Sequence, residues 1–149
     1  MLHEMTLGTF AGAVGTVTLN AATYADMAAR ARPPSSVPAE VAGKLAEKAG
    51  MALGADETEQ NRKSGPGALS GCGVGAAYGL VRPLLGNVSK TRAGVVLGLA
   101  AMAGSDVPAT ALGVTDSTTW GVDSWISDIV PHLAYGLMTA VAYDALNGL

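Results

Sequence analysis

The chain has 149 residues, 49% of them hydrophobic and 14% charged, with a formal net charge of -3 and a mean hydropathy of +0.32. That is a one-domain length, too apolar for a disordered chain, and a pI of 5.2 excludes a strongly basic nucleic-acid binder. A lone Cys72 excludes an internal disulfide framework and a cysteine-cluster metal site, and 27 alanines with 20 glycines point to an all-α bundle of small-residue helices, in water or in a bilayer.

Taken in chain order, residues 5–25 are twenty-one positions without a formal charge. A membrane-crossing helix needs roughly 20 mostly apolar residues, so a first span is predicted over about 5–29. Nothing basic precedes it, which argues against a cleaved leader and for a helix retained as a span. Arg30-Ala31-Arg32-Pro33-Pro34 ends it, because the prolines bar helical continuation. Ser35-Ser36-Val37-Pro38, followed by Glu40, is a helix-start signal. Val37, Val41, Leu45 and Ala49 then recur every fourth residue, predicting a short amphipathic peripheral helix over about 37–53. It either lies in the interface or docks on the protein itself.

Residues 56–64 read as a polar loop, a second span covers 65–85, and Gly86-Asn87-Val88-Ser89 is a turn. A third span over 91–114 is expected to break at Asp106 and Pro108. Trp120 and Trp125, in a polar connector over 115–128, suit the headgroup zone, and a fourth span covers 127–146. The expected architecture is a four-helix polytopic membrane bundle with one peripheral helix.

Only the first uncharged stretch reaches spanning length unaided, so the glycine spacing decides between water and lipid. Gly67, Gly71, Gly75 and Gly79 recur every fourth residue, and Gly8 with Gly12 and Gly94 with Gly98 repeat the GxxxG interval. In water each helical glycine costs roughly 1 kcal/mol relative to alanine, so four on one helix would be self-defeating. In a bilayer the same ridge lets helices approach closely. A lipid bilayer is therefore the expected partner, with a soluble Ala/Gly-rich bundle as the alternative. All nine basic residues fall between Arg30 and Arg92, six of them in the first loop. The positive-inside rule then places that loop in the cytoplasm and both termini outside, against the counterweight of Arg82, Lys90 and Arg92.

Candidate chemistry concentrates on the fourth helix. Asp128, His132, Tyr135, Thr139 and Tyr143 share roughly one face, and Thr9, Thr16, Asn20 and Thr23 form a matching stripe on the first. Two readings follow: a polar pocket built from His132, Tyr135, Thr139, Asn20 and Thr16, or interhelical hydrogen bonding that fixes packing, the second being favoured. Arg82 is expected to snorkel to the interface, with an ion pair to Asp144 or Asp106 as the alternative. Gly71-Cys72-Gly73-Val74-Gly75-Ala76 formally fits a dinucleotide fingerprint but lacks a strand before it. His3 and His132 have no zinc-site spacing, no nucleophile elbow surrounds a serine, and Asn87-Val88-Ser89 is only a formal sequon. No cofactor, metal or catalytic residue is expected.

The later half of the chain resembles the YagU-like family of small bacterial inner-membrane proteins, a domain of unknown function. The resemblance is carried by Gly94-Val95-Val96-Leu97-Gly98, Pro108, Leu112-Gly113-Val114-Thr115, Trp120 and the run Ser127-Asp128-Ile129-Val130-Pro131-His132-Leu133-Ala134-Tyr135. Tyr78-Gly79-Leu80-Val81-Arg82-Pro83 and Arg32-Pro33-Pro34 extend it more loosely. It implies a four-helix integral membrane protein, multi-pass in the inner membrane, and marks His132 as the matched helix-four histidine. It brings no catalytic activity, and this chain lacks the histidines that the family carries on its second and third helices.

The expected function is that of a small structural or accessory membrane protein, packing through its glycine ridges with itself as a homo-oligomer or with a larger membrane complex. A transporter or channel subunit with a polar path between helices one and four is the alternative, and a membrane-embedded enzyme has the least support.

Overall fold

The computed structural model describes residues 1–148. It is all-helical, with five α-helices: α1 (Leu2–Arg30), α2 (Val37–Lys48), α3 (Asp56–Val81), α4 (Lys90–Ala111) and α5 (Val122–Asn147). No strand occurs among the described residues. Short 3-10 turns at Arg82–Leu85 and Ser117–Thr119 complete the connections.

Four of these boundaries differ from the sequence expectation, each for a local reason. α2 stops at Lys48 instead of about residue 53. Gly50 takes a left-handed φ of 68° and closes the helix with two backbone bonds, Gly50 N–H to Glu47 and Met51 N–H to Ala46. Residues 56–64 are helix, not loop. Asp56, Glu57 and Glu59 supply negative charge to the first turn of α3, and Lys63 reaches back to Glu59 one turn earlier. α4 is not broken at Asp106 or Pro108. Pro108 lies in its last turn, so the backbone bond it cannot donate is lost next to the helix end. The helix ends instead at Gly113, φ 64°, where Gly113 N–H bonds Thr110 and Val114 N–H bonds Ala109. α5 begins at Val122, so Trp125 belongs to its first turn rather than to the connector.

The long helices are ordered in space as α3–α1–α5–α4, with α1 packed between α3 and α5, and α4 packed on α5. α2 lies against α3 and touches α4, where Lys44 Nζ donates to the Leu112 carbonyl at 2.8 Å. Neighbours in the row are antiparallel, so one end of the bundle carries the N-terminus of α1 and the Arg82–Ser89 turn. The other end carries α2, the Asp116–Trp120 connector and the start of α5.

The core is small and unusual in composition. Its buried hydrophobic members are Ala11, Ala93, Ala109, Ala140, three tyrosines and Leu97. Leu97 and Pro131 are thus the two aliphatic side chains larger than alanine that are buried among the described residues. Phe10, Val17, Leu69, Leu84, Val96 and Val107 are all more than 60% exposed. Two helical runs, Asp56–Leu85 and Lys90–Ala111, are long and apolar enough to cross a membrane.

Candidate functional site: a glycine seam and a polar spine on helix α5

Glycine sets the helix separations. α1 and α3 meet at Gly8 and Gly12 facing Gly71, Gly75 and Gly79. A Cβ on Gly75 would lie 2.5 Å from the Gly12 Cα, and one on Gly12 would lie 2.5 Å from the Gly71 carbonyl oxygen. α4 and α5 meet in the same way, with Gly94 and Gly98 facing Gly136, where an added Cβ would lie 2.7 Å from the Gly98 Cα. Gly15 lies beneath Tyr135 and Thr139 of α5. These contacts join helices of one chain, so the seam is occupied from within and offers no face to a second molecule. Gly67 stands apart from it, exposed and near only Pro38 of α2. Gly136 and Gly15 belong to the seam although sequence spacing did not single them out. Gly136 has no glycine partner four residues away, and its role depends on what α4 brings opposite.

Polar groups run along α5 between two clusters. At the end formed by the Arg82–Ser89 turn, Arg82 Nη2 pairs with Asp144 Oδ2 at 3.2 Å, and Tyr143 donates to the Glu4 carboxylate across the α1–α5 contact. Tyr78 meets Tyr143 edge-on, ring centroids 5.6 Å apart. Glu4, Arg82, Pro83, Gly86, Tyr143, Asp144 and Asn147 line a cleft of about 210 Å³ there. Arg82 is therefore an ion-pair partner and not the free interfacial arginine favoured from sequence; its side chain is only 14% exposed. Glu4 was not singled out from sequence, since only the fold brings it to a residue 139 positions away.

Midway along α5, Tyr135 donates to the Gly71 carbonyl of α3 at 2.7 Å, reaching across α1. Thr139 is fully buried, and its hydroxyl has no hydrogen-bond partner among the described residues. Thr16 returns its hydroxyl to the Gly12 carbonyl at 2.8 Å, so it satisfies its own helix and does not address α5.

The second cluster lies near the start of α5. His132 Nδ1 sits 2.9 Å from the Asp128 carbonyl oxygen and 3.2 Å from its Oδ1, while Asp128 Oδ2 is buried without a hydrogen-bond partner among the described residues. Asp106 of α4 neighbours both residues and accepts from Ser105 at 3.3 Å. Asp106 thus belongs here, at the opposite end from Arg82. Among the described residues no three His, Cys, Asp or Glu side chains converge for a metal ion.

The expected five-residue pocket does not assemble. Tyr135 and Thr139 face α1 and α3, His132 joins Asp128 and Asp106, and Asn20 is exposed on α1. The cause is helix rotation: α5 sits between α1 and α4, so its polar stripe is divided between the two neighbours.

At the α2 end, the close of α1 is tied to the start of α5. Asp26 accepts from Arg30 and Arg32, each at 2.5 Å, and from Ser127 at 3.3 Å. Trp120 and Trp125 stack edge-on, centroids 5.1 Å apart, and Trp120 Nε1 donates to Thr115 Oγ1 at 2.9 Å. Among the known proteins compared, no protein-family model, curated protein or solved structure matches the chain.

Proposed function

We propose that the protein is a small multi-pass integral membrane protein of the inner membrane with a structural or accessory role, its four long helices all spanning. The observation that carries this reading is the inverted distribution of side-chain size. Alanine, glycine, tyrosine and Thr139 make up most of the fully buried interior, while many large apolar side chains, Phe10, Val17, Leu69, Leu84, Val96 and Val107 among them, are exposed. In water exposed apolar side chains in such number promote association, whereas in hydrocarbon they are the expected lipid-facing surface. The charge spacing supports it: Glu4 and Asp26 bracket about 33 Å of α1, close to the roughly 30 Å of a bilayer core. The tryptophan pair and the Asp26–Arg30–Arg32 cluster stand where headgroups would meet the bundle. The likeness to the YagU-like family points the same way. Fractionation of expressing cells followed by an alkaline carbonate wash tests the proposal: retention in the membrane pellet is expected, and release into the supernatant would overturn it.

A second reading, a transporter or channel subunit, rests on the Asp106–Asp128–His132 cluster and on the continuation of polar side chains along α5 to Asp144. It requires pH-dependent flux in reconstituted vesicles that His132→Ala abolishes.

A further inference from the structure

The glycine seam is closed within the chain, so any association must use another surface, and the lipid-facing side of α1 carries a polar group that the fold leaves unsatisfied. Thr6, Thr9, Thr16 and Thr18 each return a hydroxyl to the carbonyl four residues earlier, at 2.8–3.0 Å. Asn20 is exposed, and its carboxamide makes no hydrogen bond with any described residue. At the matching level of α3, Gly67 is occupied only by Pro38 of α2. Around Asn20 on the outer side of α1 are Val17, 69% exposed, Tyr24, 63% exposed, and the small Ala21. Along the helix Asn20 lies about 9 Å from Asp26 and about 24 Å from Glu4, which places it inside a bilayer core bounded by those charges.

An unpaired amide in hydrocarbon is costly, and a helix surface that carries one recruits a partner to satisfy it. The carboxamide has both donor and acceptor, so it is its own complement across a two-fold axis. A charged or one-sided polar group would call for a different partner; an asparagine is matched by a second copy of itself.

We propose that the chain forms a two-fold homodimer in the membrane through the outer face of α1, with Asn20 of one copy bonded to Asn20 of the other and Val17, Ala21 and Tyr24 packed around the pair. This rests on the membrane reading above. Oxidative cross-linking of single-cysteine variants in phospholipid vesicles tests it, in a Cys72→Ser background. Val17→Cys is expected to trap a dimer, and Val96→Cys, on the outer face of α4, is not. Adding Asn20→Leu should reduce the Val17→Cys dimer about tenfold, while Asn20→Gln retains it. Because Asn20 is exposed, the leucine variant leaves the internal packing intact.

Equal cross-linking at both cysteines, no dimer at all, or a dimer indifferent to Asn20→Leu would overturn the proposal. Carbonate washing of the same vesicles separates the two failures. Protein that stays in the pellet without an Asn20-dependent dimer overturns the dimer alone, and protein released to the supernatant overturns the membrane reading and the dimer with it.

Discussion

Gly12 and Gly75 lie backbone to backbone at the centre of the α1–α3 contact, so close that a Cβ on Gly75 would stand 2.5 Å from the Gly12 Cα. Real Cβ atoms do not approach this closely, and the obstacle is backbone, which cannot swing aside. Gly75→Ala should therefore push the two helices apart and lower stability by about 2–3 kcal/mol, the upper part of the range for overpacking. Gly73→Ala is the matched control two residues away on the same helix, exposed with nothing within 4 Å of its added Cβ. It should be neutral or stabilising by up to ~1 kcal/mol. Equal melting temperatures for the two variants would show that the glycines do not set the helix separation.

Tyr135 and Thr139, one turn apart on α5, should respond in opposite directions. Tyr135→Phe removes the donor to the Gly71 carbonyl and should cost about 1–2 kcal/mol. Thr139→Val replaces a buried hydroxyl that has no hydrogen-bond partner among the described residues by a methyl of similar size, and should be neutral or stabilising by about 1 kcal/mol. Thermal unfolding of both variants checks the signs.

The Arg82–Asp144 pair joins the Arg82–Ser89 turn to α5 and is half-shielded from solvent, with side chains 14% and 33% exposed. Removing either partner should destabilise by about 1–3 kcal/mol, between the values for surface and buried pairs. A double-mutant cycle with Arg82→Gln and Asp144→Asn should return a positive coupling, and additivity of the single changes would deny the interaction. The same cycle between Arg82 and Asp106 should be additive, because these two lie at opposite ends of the bundle.

Ala31 closes α1 in the left-handed region, φ 52° and ψ 35°, where its Cβ is strained. The segment is exposed, so nothing else opposes a change. Ala31→Gly should relieve that strain and stabilise by about 0.5–1 kcal/mol, measured by thermal unfolding. A proline at the same position should destabilise, because its ring cannot adopt a positive φ.

Asp116 caps the 3-10 turn before Trp120. Its carboxylate accepts from the Thr118 hydroxyl at 2.6 Å and from the Thr118 backbone N–H at 3.0 Å, and these bonds hold its pKa below the usual carboxylate range. A carboxyl depressed in the folded state contributes stability above its unfolded pKa, about 4, and loses it as pH falls through the lower folded value. The near-ultraviolet signal of the Trp120–Trp125 pair should therefore be constant above about pH 4 and weaken only below it. Asp116→Asn should remove that acid step.

How much of this was legible beforehand divides along physical lines. Helical segments follow from local rules, so the five helices fall near their expected places. The errors were at ends, where Gly50 and Gly113 act through left-handed caps and the acidic first turn of α3 converts an expected loop into helix. Glycine spacing marked the faces that touch, because a residue without a Cβ is visible in sequence wherever backbones must meet. The polar stripe on α5 was equally visible, yet its division was not: rotation and neighbours decide that Tyr135 reaches Gly71 while His132 turns to Asp128 and Asp106.

By itself, then, the sequence determined an all-helical chain with close-packing glycine faces and charges collected near helix ends, since period, propensity and the missing Cβ are local properties. The tertiary structure alone decided the order α3–α1–α5–α4, and that order depends on which ridges fit when helices far apart in the chain pack together. With it came the choice of Asp144 over Asp106 for Arg82, the bond from Tyr143 to Glu4, and the outward position of Asn20. Each of these depends on where a helix points once its neighbours are in place, and a repeat of four residues carries no information about which neighbour that will be.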